Sequence, residues 1–259
     1  MVAKGNGTVQ RVSILNGRFD PLTATQAVDA VFRVLESGQR GWLCTVNVTT
    51  LMMMRNDPKL QSFVDRASLV VADGQPLVWC APLFGHRLPE RVTGIDLVDL
   101  LCKRAEQERK GVYLLGASDD LLKKAIAVLQ TRYPKLQIDS SDGYFSAQSA
   151  ELRAHQIRSS GAHLLFVGMG SPRQEDFIRG QWGNLGVGLA IGVGGSIDVL
   201  AGARFRAPFW MRSAGLEWLF RLLQEPRRLF LRYVINNSKF CLLMANATMV
   251  RWMGWRTTN

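Results

Sequence analysis

Asp73 is the residue whose type and setting most directly suggest chemistry. The run Ser68-Leu-Val-Val-Ala72 stops at this carboxylate and at Gly74, and apolar residues then resume at helical spacing from Gln75 to Pro82. At the end of a strand in an open parallel sheet, Asp73 would face the crevice where such sheets hold ligands, and Gly74 would let the backbone turn tightly. An ionised carboxylate there can take a proton from an attacking hydroxyl. Aspartate is also a good helix cap, so spacing alone leaves a capping role open beside the catalytic one.

Other residues extend this pattern. Thr45 and Asn47 are short and polar at another strand end, where they can hydrogen-bond a ligand or merely satisfy a local turn. Arg91, in Pro89-Glu-Arg91, has the guanidinium fork that matches phosphate oxygens, although a surface ion pair with its neighbour is the plainer reading. Two glycine-bearing loops follow strand-like runs, Gly168-Met-Gly170-Ser-Pro-Arg173 and Gly192-Val-Gly194-Gly-Ser. Neither completes the three-glycine spacing of a dinucleotide site, since Arg173 stands where the third glycine belongs, but each can turn backbone N–H groups toward a phosphate. The four cysteines and three histidines show no metal-ligand spacing, and no Asp-x-Asp pair occurs, so metal-independent chemistry without a cofactor is expected.

Elements alternate along the chain in a way that positions these residues. Strand-like runs at Gly41–Thr45, Leu69–Ala72, Val112–Gly116, Leu136–Asp139, His163–Gly168 and Gly188–Gly192 are separated by helical patterns, notably Thr25–Glu36 and Ile95–Gln107. The pattern predicts an α/β fold, a Rossmann-like open parallel sheet with helices on both faces. A chain of 259 residues that is 47% hydrophobic and 20% charged has enough apolar content for one large core or two small ones. The cysteines, far apart in sequence, read as reduced thiols, and Met1 to Gln10 has no apolar core of a secretory signal; a cytoplasmic protein is expected. No apolar run approaches the roughly 20 residues of a membrane span.

Charge sets the carboxyl-terminal part apart. From Arg204 to Asn259 there are ten basic residues against Glu217 and Glu225, which supplies +8 of the net +11. Aromatic residues such as Phe209, Trp210, Trp218 and Phe230 interleave with the arginines. Gly202 and Pro208 break the preceding pattern, so the α/β domain is placed at 1–203 and a basic, aromatic helical appendage at 204–259. Three readings of the appendage compete: a nucleic-acid surface, a helical pair with a solvated basic face, and a peripheral contact with an anionic membrane. No nucleic-acid motif accompanies it, and no nucleic-acid partner is expected.

Taken in order, these segments resemble the WecG/TagA/CpsF glycosyltransferases of bacterial surface polysaccharides. Thr45-Val-Asn47, Ala72-Asp73-Gly74 and Pro89-Glu-Arg91-Val-Thr-Gly94 are similar to three of the family's motifs, and Gly170-Ser-Pro-Arg-Gln174-Glu175 to a fourth. Gly192-Val-Gly-Gly-Ser-Ile-Asp198, Arg206-Ala-Pro208 and Gly215-Leu-Glu217-Trp218 with Glu225-Pro-Arg-Arg228 extend the match over nearly the whole chain.

The resemblance implies an inverting transfer from a UDP-sugar to a sugar on a polyprenyl pyrophosphate, at the inner face of the cytoplasmic membrane. It implies Asp73 as base, with Thr45, Asn47, Gly170, Gln174 and Gly194 as substrate contacts. Arg91 first, then Arg221 and Arg228, would meet the diphosphate, and the appendage would act as lid and membrane dock. Val46, Val48-Thr49 and Gln75-Pro76-Leu77 depart from the teichoic-acid members and point to an exopolysaccharide branch like that of xanthan-type assembly. UDP-glucose is accordingly the leading donor, with N-acetylmannosamine or its uronic acid as the alternative. A nicotinamide-dependent oxidoreductase and a non-enzymatic membrane scaffold are the rivals from other classes, and a homo-oligomer stays open.

Overall fold

The computed structural model describes residues 10–257. A short hairpin, β1 (Val12–Ile14) and β2 (Gly17–Phe19), comes first, followed by helix α1 (Ala24–Glu36). Next are β3 (Gly41–Val46), α2 (Val48–Asn56), α3 (Pro58–Asp65), β4 (Leu69–Ala72), α4 (Gln75–Cys80) and a 3-10 turn at Ala81–Phe84. The second half of the sheet region holds α5 (Gly94–Gln107), β5 (Val112–Gly116), α6 (Asp119–Arg132), β6 (Ile138–Ser141), α7 (Ala150–Ser159) and β7 (Leu164–Gly168). Then come α8 (Arg173–Leu185), β8 (Leu189–Gly192), α9 (Ser196–Leu200), α10 (Phe209–Ser213), α11 (Glu217–Gln224) and α12 (Pro226–Thr257).

Six strands form one parallel sheet in the order β4-β3-β8-β7-β5-β6. The expected open α/β sheet is therefore present. Its inner strands are continuous apolar runs because helices cover both faces. Leu164, Leu165, Phe166, Leu189, Ala190 and Ile191 are buried, Leu165 and Ala190 in one core cluster and the other four in the cluster on the opposite face. At about 25 cal/mol per Å² of apolar surface removed from water, these layers dominate the stability of the fold.

The chain runs out to one edge at β4 and the other at β6, then returns to fill the middle with β7 and β8. This leaves a crevice over the carboxyl ends of the inner strands, the place where open α/β sheets bind ligands. The edge strand β4 is blunted by the hairpin: Asp20 donates its N–H to the Val70 carbonyl at 2.8 Å and accepts the Val70 N–H on its carboxylate at 2.7 Å.

The appendage contains three helices rather than a pair, and it is packed in. Phe240 and Met244 of α12 join the core cluster that also contains Leu51, Met52 and Leu77. Among the described residues, no helix is long and apolar enough to cross a membrane. All four cysteines are free; Cys44 and Cys102 are buried, whereas Cys241 is exposed.

Candidate active site

Two cavities meet over the carboxyl end of the sheet. The first, of about 370 Å³, is lined by polar residues after β3, β7 and β8, among them Thr45, Asn47, Gly170, Gln174 and Gly194, together with arginines of the appendage. The second, of about 410 Å³, is walled by Pro76, Trp79, Trp218 and Phe240, and it also reaches Arg91. Asp73, Asn47, Thr49, Glu217, Arg221 and Tyr233 line both. These six residues form the partition between the cavities.

The strand end fixes Asp73. Its N–H donates to the Val46 carbonyl at 2.9 Å, which extends the pairing of β4 with β3 by one residue. Helix α4 takes Gly74 as its N-cap and has no side-chain cap bond, so the carboxylate is not spent on capping. Gly74 itself has an ordinary extended backbone (φ −130°), and a Cβ there would meet Asn47 at 3.5 Å, an ordinary contact. The chain turns from strand into helix within two residues here, as expected, but without a backbone that only glycine can adopt. Asp73 is half-buried and lines both cavities, and burial raises its pKa to about 7 even though Arg221 and Arg91 pull it down. Glu217 and Asp96 push in the same direction as burial. A carboxyl poised near neutrality is suited to base catalysis.

Thr45 and Asn47 carry structural duties as well as facing the cavities. The Thr45 hydroxyl donates to the Gly192 carbonyl at 3.2 Å, tying β3 to β8. Asn47 caps α2, its Oδ1 accepting the Thr50 N–H at 3.0 Å, which leaves its amide NH₂ for a ligand. Gln174 is buried and braces the second glycine loop: Oε1 accepts the Gly194 N–H at 3.1 Å, and Nε2 donates to Glu175 at 2.9 Å. A Cβ at Gly192 would lie 2.5 Å from that same Nε2, so glycine is needed there for close approach. Gly170 is needed for its left-handed backbone (φ +77°) and has open space above it.

The arginines sort by cavity. Arg91 faces the second cavity and not the first, and its partner is not neighbouring Glu90, which accepts the Ala24 N–H at 2.6 Å at the start of α1. Arg91 instead pairs with Glu217 of the appendage at 2.8 Å, and Arg221 pairs with the same carboxylate at 3.0 Å. Burial works against the Glu217 charge, yet Arg221 and Arg91 outweigh it and hold its carboxyl below the ordinary range. In the first cavity Arg206 is bound to Asp96 at 2.6 Å and Arg204 to Glu225 at 2.8 Å. Arg228 lies in α12, and its side chain falls outside the described residues, as do those of Arg232, Arg251, Trp252, Trp255 and Arg256.

Sequence reasoning named Glu217 only inside a motif and gave Arg173 no role. Arg173 opens α8 at the rim of the first cavity, where its guanidinium donates to the Gly143 carbonyl at 3.1 Å. The signal was present: an arginine directly after Gly170-Ser-Pro172 starts a helix, and a cation at a helix N-terminus beside a glycine loop is the pattern that attracts anions. Among the described residues, no group of three or more His, Cys, Asp and Glu could hold a metal ion.

Comparison with known proteins places this geometry. Residues 12–253 match the model of the glycosyl transferase WecG/TagA/CpsF family. A Staphylococcus aureus (strain MW2) protein named N-acetylglucosaminyldiphosphoundecaprenol N-acetyl-beta-D-mannosaminyltransferase is 30% identical over 231 residues, 88% of this chain and 91% of that protein. Proteins of the same name from strains NCTC 8325 / PS 47 and MRSA252 match at 30% identity over the same shares.

Proposed function

We propose, from the premise that this chain belongs to the WecG/TagA/CpsF family and is a glycosyltransferase, that it moves N-acetylmannosamine from UDP to a sugar on a polyprenyl diphosphate. The donor is the alternative weighed in the sequence. The activity for which the relatives are named favours it over UDP-glucose, and nothing in them supports the exopolysaccharide branch. The observation that carries the reading is the position of Asp73 on the partition between a polar and an apolar-walled cavity.

In this reading the nucleotide sugar takes the first cavity, with its diphosphate against the α8 N-terminus, Arg173 and the glycine loops. The acceptor enters from the second cavity, whose Trp79, Trp218 and Phe240 suit its prenyl chain. The acceptor oxygen attacks the anomeric carbon from the face opposite the leaving group. The new C–O bond forms as the bond from the anomeric carbon to the diphosphate oxygen breaks, the acceptor proton passes to the Asp73 carboxylate, and UDP departs with the bonding pair. Inversion follows from the single displacement. Arg221, on the partition, and the loop N–H groups would stabilise the charge developing on UDP.

The test is transfer from a panel of UDP-sugars to a lipid-linked N-acetylglucosamine acceptor. UDP-N-acetylmannosamine should be used at least about tenfold better than UDP-glucose, the discrimination a pocket recognising an added acetamido group can supply. Preference for UDP-glucose would reverse the donor assignment, and tight binding of NADH with none of UDP would overturn the transferase mechanism itself.

A further inference from the structure

Glu217 is the least exposed of the charged side chains on the partition, at 4% of its surface, and it belongs to the appendage rather than to the sheet domain. Its two oxygens serve two guanidiniums: Oε1 accepts from Arg221 Nη2 at 3.0 Å, and Oε2 lies 2.8 Å from Arg91 Nη1. The second contact is a meeting of charges without an aligned hydrogen bond, for Oε2 is a buried oxygen with no hydrogen-bond partner. Arg221 is its i+4 neighbour on α11, so that half of the bridge is local. Arg91 comes from the loop before α5 and is only 14% exposed, and stripped of an anion it would be a poorly solvated charge. One carboxylate thus occupies two phosphate-type ligands at the end of an apolar-walled cavity.

We propose that Glu217 is the counter-charge of this site: it positions Arg91 and Arg221 on the partition, and the diphosphate of a prenyl-diphosphate acceptor competes with its carboxylate for Arg91. This rests on the glycosyltransferase reading and assigns the acceptor, rather than the donor, to Arg91, because Arg91 reaches only the second cavity. The geometry favours exchange at the misaligned Oε2 while Arg221 stays bonded to Oε1, so the appendage keeps its place.

The same carboxylate sets the charge around Asp73. Arg221 and Glu217 face it from α11, Arg91 from the loop before α5, and Asp96, itself bound to Arg206, from the first turn of α5; Tyr233 of α12 stands beside Arg221. Glu217 and the two arginines leave one net positive charge beside Asp73, and removing Glu217 would leave two. The base would then hold its proton less well.

The experiment compares the full-length chain with Glu217→Gln and Glu217→Asp, using farnesyl diphosphate and UDP as separate probes in calorimetric titrations. Turnover is followed against pH, and a thermal melt checks folding. Glu217→Gln should bind farnesyl diphosphate about tenfold more tightly, tighten UDP by no more than about threefold through the freed Arg221, and move the acid limb of the pH profile down by about one unit, while Glu217→Asp leaves that limb in place. Should Glu217→Gln fail to fold, the charge-balanced pair Arg91→Gln with Glu217→Gln replaces it; it should lose farnesyl diphosphate affinity with the acid limb near its original position. Weakened or unchanged farnesyl diphosphate binding with an unmoved limb would make Glu217 a mere structural brace and overturn the proposal. Equal tightening of both probes would overturn the acceptor assignment. An unaltered protein that binds neither probe would instead bring down the transferase reading beneath it.

Discussion

Asp73 is held in a setting that disfavours its ionised form, and this has a consequence for stability as well as for rate. Its carboxyl titrates near 7 in the folded chain against 3.8 for the unperturbed group. The folded state therefore binds this proton more tightly than the unfolded state. The stabilisation is complete below pH 3.8 and is lost as pH rises through about 7, where the folded chain must carry a poorly hydrated charge. Asp73→Asn removes that burden. Its thermal midpoint should exceed that of the unaltered protein by more at pH 8 than at pH 5, while turnover falls by about 100-fold or more, as befits loss of a general base. Melts at the two pH values, read with a single-turnover assay, check both halves; a variant no more stable at pH 8 would mean that the charge is well solvated. The residue was legible in the sequence because the strand end and the carboxylate are adjacent. Its control was not, since Arg91 and Glu217 are brought together only by the docking of α11.

At the scale of elements, strands buried on both faces were readable almost to the residue, as at Leu69–Ala72 and Val112–Gly116. The edge strand slipped: the sequence suggests Leu136–Asp139, whereas the strand is Ile138–Ser141. Unlike the other edge strand, β4, whose four residues are all buried, this one buries only Ser141, so burial does not fix its register. The hairpin at Val12–Phe19 passed unnoticed because two three-residue strands carry too little pattern. The glycine loops were found by composition, but which glycine matters is a packing question. Gly192→Ala would drive a Cβ into the Gln174 amide, which is held at both ends and cannot simply swing away. The expected outcome is a loss of about 1–3 kcal/mol on overpacking together with weaker UDP binding, because the Gly194 loop loses its brace. Denaturant melts and UDP titration would show it, and intact UDP affinity would mean the loop holds its shape without Gln174.

Over the whole molecule, the basic appendage joins the active site to an exposed apolar surface. Phe209, Trp210, Phe230, Leu231, Val234 and Ile235 are exposed on α10 and α12, with Arg227 and Lys239 also in α12. Aromatic rings entering the acyl boundary with cations at the headgroups would form a peripheral membrane contact, consistent with a lipid-borne acceptor. Deleting 204–259 is a poor test of this idea, since it removes buried Leu229, Phe240 and Met244 and the carboxylate that partners Arg91. Surface substitution separates the two roles. The double variant Phe209→Ser with Trp210→Ser lies outside both cavities and should fold and bind UDP as the unaltered chain does. Its partition onto phosphatidylglycerol–phosphatidylcholine vesicles should fall by about tenfold or more, because each ring contributes a kilocalorie-scale term to insertion. Raising salt should weaken the remaining binding further by screening the arginines. Vesicle flotation measures the loss directly. Unchanged flotation of the double variant would place the membrane contact elsewhere on the chain, and no flotation of the unaltered protein would return the basic face to an ordinary solvated surface.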